Sequence, residues 1–140
     1  MTPQQIRLVR NSLAAAAPLR NRLAGTFFAH LFAREPSLRF LFRGDLKVRG
    51  LELYEGLAAI VDSIDRLHPI VPALEWLAVR AGSRGVGERH FALIAAALVS
   101  TLEAGLGEAF TAEHREAWRA ACRRVVDVMA TAIAAEPLAA

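Results

Sequence analysis

Apolar residues recur at intervals of three and four from one end of this chain to the other, and no stretch alternates apolar with polar. That period stacks side chains on one face of an α-helix, and it leaves no segment patterned for a half-buried strand. The expectation is an all-α fold in a single domain over residues 1–140, a length that suits one compact unit. Hydrophobic residues at 54% and charged residues at 22% exclude intrinsic disorder and supply a core.

Punctuation divides the helical pattern. Thr2-Pro3-Gln4-Gln5 has the layout of a capping box with proline at the first helical position. It opens a helix with Ile6, Val9 and Leu13 on one face, ending before Pro18. A second helix is expected from about Leu19 to Ala33, with Leu23, Phe27, Leu31 and Phe32 as its apolar positions. Pro36 to Phe42 forms a short helical segment, and Arg43-Gly44-Asp45 turns the chain into a helix from about Leu46 to Leu67. His68-Pro69-Ile70-Val71-Pro72 reads as a connector, because two prolines three apart disrupt a helix interior. Ala73 to Ala81 is a short helix before the glycine-rich run Gly82 to Gly87. Glu88 to Leu106 presents Phe91, Ile94, Ala95, Leu98 and Leu102, and Gly105-Leu106-Gly107 closes it. Thr111 caps the last helix, whose apolar stripe is Trp118, Cys122, Val125, Met129 and Ile133. Seven or eight helices of unequal length argue for an orthogonal arrangement rather than an even four-helix bundle. The last two form a hairpin floor.

Composition narrows the partners. The longest uncharged stretch, His90 to Leu102, falls short of the roughly 20 apolar residues of a membrane helix, and the N-terminus lacks the layout of a signal peptide. A lone cysteine, Cys122, excludes an internal disulfide and a cysteine zinc cage; on its apolar stripe it reads as a packing residue. The expectation is a soluble cytoplasmic protein with no membrane partner. The pI near 10.0 comes from arginine: of 17 basic residues, Lys47 is the one lysine. The arginines are dispersed among 14 acids, so no nucleic-acid partner is expected. Gly82, Gly85 and Gly87 end a helix instead of following a strand, which is not a phosphate loop. Glu55, Asp62 and Asp65 have ordinary polar-face spacing and define no catalytic pair.

Several segments then carry a resemblance: Thr26 to Phe32 with Glu35-Pro36, Leu41-Phe42-Arg43-Gly44-Asp45, Leu77 through Val86, His90-Phe91, Leu102 to Gly107, and Phe110-Thr111 with Ala117-Trp118. In order and across nearly the whole chain, they resemble the globins, specifically bacterial single-domain haemoglobins and the globin domain of flavohaemoglobins. The resemblance implies a globin fold and a haem pocket, bordered here by Phe28, Phe42, Arg49, Leu53, Leu77, Ala81, Val86 and Phe91. It also implies a close crossing of the second and fifth family helices, where Gly25 and Gly50 would let the backbones approach.

Position by position, the implied pocket departs from the family. The proximal pattern is leucine, three residues, histidine, three residues, glycine-valine; Leu77, Gly85 and Val86 keep their places and Ala81 stands where the iron ligand belongs. A methyl group cannot coordinate iron, so no metal ligand is expected at Ala81. His90 is the alternative ligand, nine residues on at the start of the next helix, where a helix-start role competes with ligation. His30, His68 and His114 are read as solvated or locally bonded. On the distal side, Phe28 replaces the tyrosine that bonds iron-bound oxygen. Arg49 aligns with the distal glutamine or histidine, with Leu53 one turn later; 81 − 49 = 32 keeps the family separation. Arg49 reads either as a surface arginine or as a donor to a bound ligand or a haem propionate. Leu51 and Glu52 occupy places where relatives put basic residues near the propionates. Phe42 reads equally as a haem-packing ring and as ordinary core.

The expected function is therefore a globin-like sensor or ligand-binding module, free of haem or binding it atypically, with a small or apolar molecule in the pocket. The alternative is a haem protein that binds oxygen or nitric oxide through non-standard ligation. Enzymatic activity as a nitric oxide dioxygenase or a peroxidase is the lesser reading. No catalytic residue is assigned.

Overall fold

The structure, a computed structural model, describes residues 1–135. Among them are six α-helices, four 3-10 turns and no strand. Helix α1 (Pro3–Ala16) starts on the expected capping box: the Thr2 hydroxyl accepts from the Gln5 amide at 3.1 Å, and the Gln5 side chain accepts from the Thr2 amide at 3.0 Å. Pro18 does not open a loop. It lies in the 3-10 turn Ala17–Leu19, which leads directly into α2 (Arg20–Arg34). A second 3-10 turn, Pro36–Leu41, follows, and the Asp45 carboxylate caps α3 (Leu46–Asp62) by accepting from the Lys47 amide at 2.9 Å.

Two boundaries differ from the sequence expectation. Helix α3 ends at Asp62 rather than Leu67, because the Ser63 amide turns to the Ile60 carbonyl and the chain breaks into a turn. Arginines from elsewhere bond the carbonyls at this end: Arg10 donates to those of Val61 and Asp62 (3.4 and 2.9 Å), and Arg124 to that of Ile64 (2.8 Å). These are long-range bonds that no local pattern announces. Helix α4 (Val71–Gly82) starts ahead of Ala73, with Pro69 in a 3-10 turn (His68–Ile70) and Pro72 in the first turn of α4, where its missing N–H leaves no bond unmade.

Helix α5 (Glu88–Leu106) and helix α6 (Ala112–Ala135) form the expected hairpin. Helix α5 is long and apolar enough, by length and composition alone, to cross a membrane. Here it packs against α2, α6 and α1 and buries Phe91, Ala97, Val99 and Leu102 in the domain.

Helix α2 crosses both α3 and α5, α1 lies on α6, and α4 has its principal packing on α6. Two apolar clusters result. The first joins Val9, Leu13, Leu23, Val61, Ile64, Leu102 and Trp118; the Trp118 indole donates to the Ser12 hydroxyl at 2.8 Å, so this buried ring has its polar atom satisfied. The second gathers Phe27, Phe28, Leu31, Ala78, Val86 and Phe91.

The α2–α3 crossing is made at Gly50 and Ala24, not at Gly25. A β-carbon on Gly50 would run into that of Ala24, and Phe28 lies 3.6 Å from the same point; nothing lies within 4 Å of a β-carbon on Gly25. One residue separates Gly25 from the contact, and about 100° of helix rotation takes it to the solvent side.

Candidate functional site

The second cluster holds five of the eight residues expected to border the pocket. Phe28, Val86 and Phe91 are buried members, and Phe42 and Ala81 pack against them. Phe28 is the hub, edge-on to Phe27 at 5.4 Å and to Phe42 at 5.1 Å, and stacked with Phe32 at 5.6 Å. Where a tyrosine hydroxyl would reach a bound gas, this chain has an all-hydrocarbon aromatic floor. Phe32 belongs to it and was legible, one helical turn after Phe28 on the same face.

Ala81 is fixed by its backbone. Its carbonyl accepts from the Val86 amide at 3.1 Å, and the Gly82 carbonyl accepts from the Gly85 amide at 3.0 Å. Gly85 takes φ +86°, the left-handed conformation that favours glycine. This pair of bonds is a Schellman termination, with Val86 as the apolar residue that folds back towards Ala81. The Gly85-Val86 signature is thus accounted for by the way α4 stops, whatever residue occupies position 81.

His90 is engaged elsewhere. Its Nδ1 accepts from the Gly87 amide at 3.0 Å, and its Nε2 lies 3.3 Å from an Arg89 guanidinium nitrogen. The lone pair on Nδ1 is used in capping α5, and a cation stands beside the other nitrogen. Arg89 in turn pairs with Glu35 at 2.9 Å. His114 is similarly local, its Nδ1 accepting from the Thr111 amide at 3.1 Å. Among the described residues no group of three or more His, Cys, Asp or Glu side chains could hold a metal ion.

The remaining three expected residues, Arg49, Leu53 and Leu77, are not members of this cluster. Leu53 on α3 is 37% exposed and Leu77 on α4 is 45% exposed, alongside Leu51 and Trp76, which are also exposed on the same helices. Helices α3 and α4 are not packing partners: α3 lies on α2 and α1, α4 on α6. Arg49, on α3 one turn before Leu53, pairs with Glu52 at 3.2 Å through Nη2, while its Nε is buried without a partner. Two open depressions lie elsewhere. One, about 400 Å³, sits between the start of α1 and that of α6; the other, about 440 Å³, is bordered by Arg34, Val99, Cys122 and Arg123. Cys122 is half-buried, and burial pushes its thiol up to about 11.

A globin family profile matches residues 25–129. The chain belongs to the globin family. This globin is 26% identical over 124 residues to the flavohaemoprotein of Vibrio cholerae, a match covering 86% of this chain and 32% of the relative. It is 30% identical over 128 residues to the flavohaemoprotein of Bordetella parapertussis, with the same shares. The chain spans about one third of the length of these relatives. Among solved structures, the engineered carbene transferase RmaNOD from Rhodothermus marinus superposes with a TM-score of 0.81 at 25% identity, covering 96% of this globin and 94% of that chain.

Haem binding is a trait of this family, and the residues present can be tested against it. Phe28 and Phe42 are apolar rings in contact with each other, the residue type that a porphyrin face requires. The donor set does not match its iron: Ala81 offers a methyl group, and a neutral His90 that accepts from the Gly87 amide at Nδ1 carries its hydrogen on Nε2, beside the Arg89 guanidinium, so neither nitrogen has a free lone pair.

Proposed function

We propose that this globin is a ligand-binding or sensing module that accepts an apolar molecule between α3 and α4 and does not use histidine-ligated haem. The observation that carries the reading is Ala81, held at the end of α4 by a backbone motif that is complete without a histidine. The exposed Leu53 and Leu77 support an apolar occupant, since their side chains lose water contact only when something covers them. The aromatic floor around Phe28 supports a dry contact with no hydrogen-bond donor from that residue.

The test is an absorbance spectrum of the purified protein before and after titration with haemin. The expected result is no Soret band as isolated and no saturable spectral change at one haemin per chain. A strong Soret band at one haem per chain overturns the haem-free reading.

A second reading has its own support: the flavohaemoprotein relatives favour haem held by packing or by a non-standard ligand. Under it, haemin binds loosely, and added imidazole shifts the spectrum by filling the space beside Ala81. The oxygen, nitric oxide or dioxygenase chemistry of that reading depends on this spectrum.

A further inference from the structure

We infer that the depression between α5 and α6 is a second ligand site, which takes an organic dianion, a phosphate monoester or a dicarboxylate, on a compact apolar body. It is separate from the α3–α4 region and shares no lining residue with it. The depression has a volume of about 440 Å³, within the roughly 300–1,000 Å³ of small-molecule sites. Its floor is small and apolar: Ala95 and Val99 come from α5, Cys122 and Val126 from α6. Short side chains on both helices leave room that longer ones would fill.

The charge lies along one wall. Arg115, Arg119 and Arg123 follow one another at intervals of four on α6, which stacks three like charges on one face, where they repel. Acids relieve two of them: Arg115 pairs with Glu103 on α5, and Arg119 with Glu116 at 3.1 Å. Arg123 has no acid within ion-pair distance among the described residues. Arg34, from the end of α2, reaches the same depression and donates to the Ser100 hydroxyl at 3.0 Å, with no carboxylate paired to it. The Glu103–Arg115 pair fixes how the two helices of the hairpin face each other. One turn on, Ser100 is level with Arg119, and one turn further Ala96 is level with Arg123. The anchored end of Arg34 and the origin of Arg123 are therefore about one helical turn apart along the depression. Asp127, one turn beyond Arg123, lines the far end and repels an anion there. The charged group of the ligand sits between Arg34 and Arg123, where guanidinium forks match phosphate or carboxylate oxygens, and its apolar body covers the floor. A second copy of the chain would set the same row of arginines against itself across a twofold contact, so it does not suit this face.

The probes are 1-naphthyl phosphate and naphthalene-2,3-dicarboxylate, two dianions on one ring system, with neutral 1-naphthylmethanol and inorganic phosphate as the separated halves. Isothermal titration calorimetry at about pH 7.5, where a phosphate monoester is doubly charged, reads binding to the wild type, Arg34→Gln, Arg123→Gln and Ala96→Phe. Arg66→Gln removes the same charge from an exposed position outside the depression. Circular dichroism confirms that each variant is folded. At least one dianion is expected to bind once per chain, about tenfold or more tightly than naphthylmethanol or inorganic phosphate. It should lose about tenfold in Arg34→Gln and in Arg123→Gln, and change less than about twofold in Arg66→Gln. Ala96→Phe should also lose about tenfold with every arginine intact, because its ring fills the depression opposite Arg123. Tighter binding of the naphthyl phosphate assigns a phosphate ester, and tighter binding of the dicarboxylate assigns paired carboxylates. Equal binding of naphthylmethanol overturns the role of the arginines, and equal binding of inorganic phosphate overturns that of the floor. Absence of saturable binding by either dianion overturns the site, as does a loss in Arg66→Gln equal to that in Arg123→Gln.

Discussion

Substituting Gly50 by alanine pits two effects of opposite sign against each other at the α2–α3 crossing. Alanine in place of a mid-helix glycine ordinarily stabilises by about 1 kcal/mol, through backbone entropy and propensity. Against that, the new methyl at Gly50 meets the Ala24 β-carbon, an atom attached rigidly to the neighbouring backbone, so no rotamer change relieves the clash. Forcing apart two packed helices costs roughly 1–3 kcal/mol, and a clash against backbone-fixed atoms belongs at the upper end. The expected net effect is a loss of about 2 kcal/mol. Gly25 and Gly56 lie in α2 and α3 with nothing within 4 Å of an added β-carbon. Gly25→Ala and Gly56→Ala should therefore each gain about 0.5–1 kcal/mol. The double variant Ala24→Gly/Gly50→Ala moves the methyl from one helix to the other and should recover most of the loss, a coupling expected only of touching residues. Urea denaturation at constant m-value measures all four. If Gly50→Ala is stabilising to the same degree as Gly25→Ala, the close crossing is refuted.

Haemin titration of Ala81→His should produce or greatly strengthen a Soret band, by placing an imidazole at the end of α4; if it adds nothing while His90→Ala abolishes haem binding, the register is shifted and His90 is the ligand. His90→Ala is expected to cost about 0.5–2 kcal/mol in a urea melt through loss of its bond to the Gly87 amide, with haemin affinity unchanged. Trp118→Phe should destabilise by about 1–3 kcal/mol, since it removes the bond to Ser12 and leaves space in the first core. The Cys122 thiol is raised from 9.0 to about 11 by burial, so the fold favours its neutral form. Its stabilising contribution is complete below pH 9 and is lost as pH rises towards 11. Urea midpoints between pH 7 and pH 11 should accordingly fall further for the wild type than for Cys122→Ala.

The helices and the family were legible because both depend on local spacing. Thr2 to Gln5, Asp45 before α3 and Gly85-Val86 each state a cap within a few residues, and the structure uses all three. The end of α3 was not legible, because it is stabilised by Arg10 and Arg124 from distant parts of the chain. The crossing glycine shows the same divide: sequence spacing brings Gly25 and Gly50 to the neighbourhood, but only three-dimensional rotation shows that Ala24 is the residue met. At the site, the apolar floor follows from residue type and from helical spacing. The unpartnered Arg49 nitrogen does not follow from either, because burial of a single atom depends on every neighbour at once.

The corner that presents Ala81 separates shape from chemistry. Its geometry is encoded in two backbone carbonyls, one glycine and one valine, and none of these instructions passes through the side chain at position 81. A change of residue there leaves those backbone instructions untouched, so the corner can keep its path whichever side chain it turns towards the Phe28 cluster.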